Sequence, residues 1–223
     1  MRAGDGQLRA RPGKGAGDPG RRGPWAGLVL AAGLSRRLGR PKASLPWAGG
    51  TLLDRALQLA AATTGRPVWV VTGPEGGTPP RGAQRVVNPR PEAGLASSLR
   101  LGVQEVAAAR PEAAVVVFLV DQPFIREADV AAVLAAYRRR PPGVHWVRPV
   151  YDGMPGHPVV IAPDGRGLVE ELGGDQGLGP ALRNRPGVLT VVRPVTGPCH
   201  PSWDIDTEAD YRRALACLEK SGL

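Results

Sequence analysis

The chain has 223 residues, of which 42% are hydrophobic and 22% are charged. These are ordinary values for a globular protein, and the length suffices for a hydrophobic core that needs no disulfide or metal to support it. The longest apolar runs, at 28–32 and 113–120, are far shorter than a membrane-spanning helix, which argues against a membrane protein. The two cysteines lack CxxC or Cys/His ligand spacing, which argues against a disulfide framework, a zinc module and a secreted protein.

The formal net charge of +9 does not by itself indicate a nucleic-acid-binding protein. Residues 1–24 contain six basic and two acidic side chains, so this segment carries +4 and the rest of the chain carries +5. Of the 29 basic residues 26 are arginine, and alanine, glycine and proline are abundant, which indicates a GC-rich coding bias. Because the basic residues are not clustered with interleaved aromatic residues, we expect no specific nucleic-acid partner.

Residues 1–24 form a segment rich in glycine, proline and arginine with almost no apolar side chain, which predicts a disordered basic tail. The arginine pair near its end, followed by the apolar stretch 25–34, superficially resembles a twin-arginine export signal. Two glycines interrupt that stretch, however, and further arginines stand where a cleavage site would be. We therefore expect a buried first strand, a folded domain at 25–223 and a cytoplasmic protein.

From residue 25 onward, short β-rich runs alternate with helical patterns, which is typical of a parallel α/β fold. The predicted strands are 27–31, 68–72, 115–120, 144–149, 159–162 and 189–193. Apolar residues spaced three or four apart predict helices at 53–60, 95–106, 130–137 and 211–218. Thr51 and Thr207 are predicted to begin the first and the last of these helices, and 73–82 is predicted to be a loop.

The most informative stretch is LVLAAGLSRRLGRPK at 28–42, where a strand runs into three small residues. Small residues at the carboxyl end of a strand let backbone N–H groups approach a ligand closely, as in other nucleotide-binding α/β proteins. The cationic and hydroxyl side chains that follow are Ser35, Arg36, Arg37 and Lys42. Amides and cations together predict a polyanion site. The stretch is neither GxxxxGKS nor a complete GxGxxG, and the alternative is a surface turn with solvated arginines.

Two acidic residues are candidate metal ligands. Asp121 follows the predicted strand 115–120, at the same edge of the sheet as the first loop, and Asp206 precedes the last helix. Mg²⁺ bound to a triphosphate needs only one or two carboxylates, because phosphates and waters supply the other oxygens. Asp121 alternatively forms a turn before Gln-Pro, Asp206 alternatively caps the helix, and Asp204 competes with Asp206 for the metal.

Five segments, in this order, resemble the molybdenum cofactor cytidylyltransferase-like branch of the nucleotidyltransferases. They are LAAGLSRRLGRPK at 30–42, NPRPEAGLASSLRLG at 88–102, VDQPF at 120–124, GHPVVI at 156–161 and DIDTEADY at 204–211. The resemblance covers residues 26–218 and implies an α/β fold: a single GT-A-like Rossmann-type domain with a mostly parallel sheet flanked by helices. It implies that the nucleotide lies in the first half and the acceptor over the second.

The resemblance also implies roles for individual residues. The implied nucleotide-binding residues are Leu30, Ala31, Ala32, Gly33, Lys42, Asn88, Gly94 and Ser98. The implied catalytic residues are Lys42, Asp121 and Arg36, with Asp121 and Asp206 holding Mg²⁺. The implied acceptor-binding residues are Gly156, His157 and Asp175, although a lone histidine is more often structural or solvent-exposed. The branch commonly has GDxGAR where this chain has GDQGLG, so its arginine is missing unless Arg183 or another basic residue substitutes.

The implied reaction is transfer of CMP from CTP to the phosphate of molybdopterin-bound molybdenum cofactor, which gives molybdopterin cytosine dinucleotide and pyrophosphate. Guanylyl-transferring relatives usually have a second glycine where this chain has Ala32, so LAAG favours CTP. A molybdoenzyme or its chaperone is the implied recipient of the product. The alternatives are another phosphorylated acceptor such as a sugar phosphate, guanylyl transfer from GTP to molybdopterin, and a non-catalytic molybdenum cofactor carrier.

Overall fold

The computed structural model describes residues 24–77, 79, 82–174 and 177–221. The predicted tail, apart from Pro24, lies outside the described residues, as does Asp175. Within the described part, no helix combines the length and the apolar character that crossing a membrane requires.

The described residues form one mixed, mostly parallel sheet of eight strands with helices on both faces, and a separate two-stranded hairpin. The strands are β1 (Trp25–Leu30), β2 (Pro46–Trp47), β3 (Gly50–Thr51), β4 (Val68–Thr72), β5 (Ala83–Val87), β6 (Ala114–Leu119), β7 (Trp146–Tyr151), β8 (Met154–Pro155), β9 (Val159–Ile161) and β10 (Val188–Arg193). The α-helices are α1 (Leu52–Thr64), α2 (Leu95–Ala109), α3 (Glu127–Arg138), α4 (Leu178–Ala181) and α5 (Glu208–Ser221).

The strand order in the large sheet is β10-β7-β9-β6-β1-β4-β5, with β8 paired to β7. Strands β6, β1, β4 and β5 are mutually parallel, β9 is antiparallel to both its neighbours, and β10 is parallel to β7. The carboxyl ends of β1, β4, β6 and β7 therefore lie at one edge. The predicted parallel α/β layering is confirmed.

Both faces of the central strands are buried, which explains why they appear in the sequence as continuous apolar runs. In β1, Leu28 and Leu30 belong to the core on one face, where α2 packs, and Val29 belongs to the core on the other, where α1 and α3 pack. All six residues of β1 are buried. The six predicted strands and the four predicted helices are all present.

Helix α2 approaches the sheet closely at Gly102. A Cβ atom at this position would lie 2.7 Å from Leu28 Cδ1 and 2.8 Å from Val71 Cγ2, distances shorter than van der Waals contact. The absence of a side chain therefore sets how deeply α2 sits on β1 and β4. The first turn of α2 consequently lies at the carboxyl edge of the sheet, where the candidate site is found.

Both predicted helix starts are confirmed. The Thr51 side chain accepts a hydrogen bond from the Asp54 backbone N–H, and the Asp54 carboxylate accepts one from the Thr51 N–H, a capping box for α1. Thr207 and Asp210 make the same reciprocal exchange ahead of α5. The threonine therefore caps α5, which leaves the carboxylate of Asp206 available for other partners.

Several short elements were not predicted. Strand β5 lies at the edge of the sheet with most of its side chains exposed or half-buried, so it lacks the apolar pattern of the central strands. The hairpin β2–β3, strand β8 and helix α4 have two to four residues each, too few to show a period.

The two cysteines are paired, which corrects the expectation drawn from their spacing. Cys199 and Cys217 form a disulfide with their Cα atoms 5.8 Å apart. The two cysteines are 18 positions apart in the sequence, and they meet because α5 folds back along the segment that precedes it. Spacing rules for metal sites and redox motifs do not detect such a tertiary contact. The disulfide attaches α5 to the segment that carries Asp204 and Asp206.

A buried ion-pair cluster fastens the amino end of α3 to β10. Asp129 is fully buried, and its two carboxylate oxygens lie 3.1 Å from Arg126 Nε and 3.1 Å from Arg193 Nη2. Arg126 also donates to the carbonyl oxygen of Thr196, in the segment after β10. The cluster fixes the start of the segment that leads to the acidic residues before α5.

Replacing Asp129 with alanine should strongly destabilise the protein, because two arginines would lose their buried carboxylate. We expect Asp129→Ala to lower the free energy of unfolding by about 3–5 kcal/mol. Glu127→Ala, an exposed acid in the same helical turn, is the matched control and should change it by less than about 0.5 kcal/mol. Urea denaturation followed by circular dichroism measures both, and equal effects would contradict the assignment.

Candidate active site

A cavity of about 460 Å³ lies at the carboxyl edge of β1 and β6. Strand β1 leads into the loop 31–42, β6 leads into Asp121, and the first turn of α2 closes one side. Its lining residues include Leu30, Ala31, Ala32, Gly33, Leu34, Ser35, Arg36, Arg37, Lys42, Pro91, Glu92, Gly94, Leu95, Ser98, Leu119, Asp121 and Asp206. Clefts of this size at the edge of an α/β sheet are typical ligand sites.

Most of the nucleotide-binding residues implied by the resemblance lie at this cavity. The lining contains Leu30, Ala31, Ala32, Gly33, Arg36, Lys42, Gly94, Ser98, Asp121 and Asp206. Asn88 does not line it but supports it from behind: buried Asn88 donates through Nδ2 to the hydroxyl oxygens of Ser97 and Ser98, each at 2.9 Å. Asn88 therefore orients a cavity-lining hydroxyl.

The loop after β1 has a defined shape because Ser35 is hydrogen-bonded to its middle and to its last residue. The Ser35 hydroxyl accepts a hydrogen bond from the Lys42 backbone N–H at 3.0 Å, and its carbonyl accepts one from the Leu38 N–H at 3.0 Å. A Cβ atom at Gly33 would meet no atom within 4 Å, so the backbone there faces open space. The loop leaves room for a ligand against its backbone.

Lys42 joins two carboxylates that are distant in sequence. Its Nζ lies 2.9 Å from Asp121 Oδ2 and 2.5 Å from Asp206 Oδ1, and Arg37 lies 3.6 Å from the other oxygen of Asp206. Burial lowers the pKa of Lys42, but the two carboxylates outweigh it and the pKa is raised above its ordinary value. The ammonium group is therefore charged at neutral pH.

The two carboxylates fit a divalent cation completed by other ligands. Because one ammonium group contacts both, Asp121 and Asp206 reach a common point, and carboxylate oxygens are the donors that Mg²⁺ and Mn²⁺ prefer. Within the described ranges, no group of three or more His, Cys, Asp or Glu side chains is arranged to hold a metal. Further ligands would come from the phosphates of a nucleotide and from water.

A chain of hydrogen bonds behind the cavity links Asp204 to His157. Gln122 donates through Nε2 to Asp204 Oδ1 at 2.8 Å, and its Oε1 lies 3.1 Å from His157 Nδ1. Since Oε1 can only accept, Nδ1 of His157 carries the proton. Burial lowers the pKa of His157 to about 4, so the ring is neutral at pH 7. Gln122 had no predicted role, because nothing in the VDQPF segment indicates that its amide lies between these two groups.

Two of the three predicted acceptor residues, Gly156 and His157, do not line the cavity. His157 is buried, and Gly156 is enclosed: a Cβ atom there would lie 2.6 Å from the Tyr151 ring and 2.9 Å from Ser202 Oγ. Asp175 lies outside the described residues. Of the two acids considered for the metal, Asp206 lines the cavity and contacts Lys42, whereas Asp204 contacts Gln122.

The chain belongs to the nucleotidyltransferase family whose model is the MobA-like NTP transferase domain, which matches residues 27–188. A molybdenum cofactor guanylyltransferase from Xanthomonas euvesicatoria pv. vesicatoria (strain 85-10) is 35% identical over 119 residues, 52% of this chain and 57% of that protein. The molybdenum cofactor cytidylyltransferase of Escherichia coli (strain K12) is 29% identical over 146 residues, 60% of this chain and 68% of that protein.

Solved structures share the fold along nearly the whole described chain. Rv0371c from Mycobacterium tuberculosis H37Rv, in complex with manganese, matches with a TM-score of 0.70 and 26% identity, and the match covers 87% of this chain and 99% of that one. By contrast, the sequence match to the Xanthomonas relative spans little more than half of that protein, 57%.

The pH dependence of stability should reveal the environment of Asp204. Desolvation by the surrounding protein, with the charges of Asp121 and Asp206, raises the pKa of Asp204 to about 6 from 3.8. Its protonated form therefore stabilises the fold at low pH, and this contribution is lost as the pH rises through 3.8–6. Asp204→Asn should raise Tm at pH 7.5, with the gain vanishing near pH 4, in melts with a chelator present.

Asp210 provides a control because its pKa is shifted in the opposite direction to that of Asp204. Hydrogen bonds from Thr207 lower the pKa of Asp210, so its ionised form stabilises the fold above the ordinary carboxylate range. We expect Asp210→Asn to lower Tm at pH 7.5 and to approach wild type in acid. A gain in Tm for Asp204→Asn that is the same at both pH values would contradict the raised pKa.

Proposed function

We propose that this protein transfers a nucleotidyl group from a nucleoside triphosphate to the phosphate of molybdopterin-bound molybdenum cofactor, releasing pyrophosphate. The observation that carries the proposal is the meeting of Lys42, Asp121 and Asp206 at the floor of the cavity. Membership in the MobA-like family supports nucleotidyl transfer, and the names of the Xanthomonas and Escherichia coli relatives support the acceptor.

The reaction needs positioning and charge neutralisation more than a protein nucleophile. A phosphate monoester is already ionised near neutral pH, so its oxygen attacks the α-phosphorus directly. A new P–O bond forms to the acceptor, the bond between the α-phosphorus and the bridging oxygen breaks, and pyrophosphate leaves with the electron pair. Direct transfer of this kind requires no covalent nucleotidyl-enzyme and no general base.

The charged residues of the cavity are suited to that chemistry. Lys42 and Arg36 provide positive charge for the triphosphate and the departing pyrophosphate. Asp121 and Asp206 would hold the divalent cation, Mg²⁺ in our proposal, which neutralises phosphate charge when bound. The manganese complex of the mycobacterial structure supports a divalent metal in a protein of this fold. A carrier of finished cofactor would have no need of this arrangement, which disfavours the non-catalytic alternative.

We propose CTP as the nucleotide, with CMP transferred to give molybdopterin cytosine dinucleotide. The argument rests on Ala32, which lines the cavity where guanylyl-transferring relatives usually have glycine. Guanylyl transfer from GTP is the second candidate, because the Xanthomonas relative is a guanylyltransferase. In either case a molybdoenzyme or its chaperone would receive the dinucleotide product.

Removing either metal-binding carboxylate should abolish most of the activity without unfolding the protein. We expect Asp121→Asn and Asp206→Asn each to slow pyrophosphate release by roughly two to four orders of magnitude, because several kcal/mol of transition-state stabilisation are lost. Glu208→Gln is the control, since Glu208 lies two residues after Asp206 but pairs with exposed Arg40. Near-wild-type turnover in either aspartate variant would exclude that residue from the site.

The choice of nucleotide is tested by pyrophosphate release with Mg²⁺ and molybdenum cofactor, comparing CTP, GTP and ATP. We expect release with CTP above the other two, and a product whose mass is that of the cytosine dinucleotide. Preference for GTP would replace cytidylyl with guanylyl transfer. Nucleotide binding without release would point to another phosphorylated acceptor, and no nucleotide binding would refute the proposed function.

A further inference from the structure

A buried arginine in β7 has no anionic partner among the residues that the structure describes. Arg148 is 7% exposed and donates one hydrogen bond, from Nη1 to the carbonyl oxygen of Gly179 at 3.0 Å. Its Nε is buried without a hydrogen-bond partner, and no carboxylate among the described residues pairs with it. Arg166, by comparison, donates to the carbonyl oxygens of Arg110, Pro111 and Ala113.

A second unpaired arginine lies nearby. Arg183 follows α4, is exposed, and forms no ion pair within the described residues. Burial, together with the positive charge of Arg183, lowers the pKa of Arg148. Elsewhere in the same region arginines are neutralised: Arg185 pairs with Glu171, and Arg100 pairs with Glu170. Arg183 lies four residues after Gly179, whose carbonyl oxygen accepts from Arg148. Two like charges with no counter-ion in the described part of the chain form an arrangement that an anionic ligand would complete.

The segment around α4 connects the arginine pair to one wall of the cavity. Trp146, two residues before Arg148 on the same face of β7, belongs to the core against which α2 and α4 pack. The loop before α4 contacts the first turn of α2: the Ala96 N–H donates to the Gly174 carbonyl at 3.2 Å. A Cβ atom at Gly177 would lie 3.7 Å from Leu95, a cavity-lining residue. Arg148 thus contacts α4, and the loop before α4 contacts the helix turn that closes one side of the cavity.

We propose that Arg148 and Arg183 form the subsite for the phosphate of the acceptor, a phosphate monoester dianion. This inference rests on the proposed function, because it assigns the second substrate of that reaction. A guanidinium group binds phosphate with two parallel N–H donors, and Nε and Nη2 of Arg148, on the side away from Gly179, are suited to this geometry. The exposed Arg183 would attract the dianion and share its charge.

The test uses the full chain with Mg²⁺ and a saturating unhydrolysable CTP or GTP analogue, so that the nucleotide cavity is filled. Inorganic phosphate is then titrated by calorimetry. Arg148→Gln should weaken phosphate binding at least tenfold, and Arg183→Gln several-fold. Arg185→Gln, which removes the same charge two residues away from an arginine already paired with Glu171, should leave it unchanged. Affinity for the nucleotide analogue should remain within twofold of wild type in all three.

In the pyrophosphate assay, Arg148→Gln and Arg183→Gln should raise KM for the acceptor while leaving KM for the nucleotide unchanged.

Thermal melts check that each variant folds. Should Arg148→Gln fail to fold, the phosphate affinities of Arg183→Gln and Arg148→Lys decide the outcome. Equal phosphate binding in wild type and in a folded Arg148 variant would overturn the subsite, whatever the activity. An equal loss of nucleotide and phosphate affinity would overturn it too, since the arginines would then serve the triphosphate. Loss of phosphate binding in a protein that turns over no tested nucleotide would support the subsite and refute only the proposed reaction.

Discussion

The repulsion between two carboxylates, offset by one ammonium group, is the constraint on which the site depends. Asp121 stands at the end of β6, Asp206 precedes α5, and Lys42 ends the loop after β1, so three distant parts of the chain must converge within hydrogen-bond distance. Parallel pairing of β1 with β6 brings Lys42 and Asp121 together, and because Thr207 caps α5, the Asp206 carboxylate is available to contact Lys42. The order of strands in the sheet and the cap of α5 are therefore both needed to bring Lys42 into contact with the two carboxylates.

The convergence of the loop after β1 and Asp121 at one cavity was predictable because the determinants are local in sequence. The small residues after β1 and the basic residues that follow them occupy one continuous stretch, and Asp121 directly follows a strand with an unmistakable apolar pattern. Edge strand β5 was missed because its exposed side chains do not alternate, and the disulfide was missed because spacing does not reveal the return of α5. Gln122 is one residue from a predicted ligand, yet its two partners come from distant loops.

The second half of the chain depends on contacts that a linear pattern does not contain. His157 is held behind the cavity by Gln122, and Gly156 is packed against Tyr151, so both contribute to the shape of the loop rather than to the cavity surface. The two arginines of the proposed acceptor subsite lie in β7 and in the segment after α4. A buried arginine within a strand is recognisable only when its lack of a carboxylate partner can be seen in three dimensions.

The close approach of α2 to the sheet at Gly102 links the packing of the core to the width of the cavity. An α-helix is stiff over short lengths, and Leu95 lies roughly 10 Å along the axis from Gly102 at 1.5 Å per residue. The distance between the first turn of α2 and the loop after β1 thus depends on Gly102, which has no side chain and lies in the core. Gly102 itself does not line the cavity. The volume of the side chain at position 102 therefore determines where the first turn of α2 lies and how wide the cavity is beside Leu95.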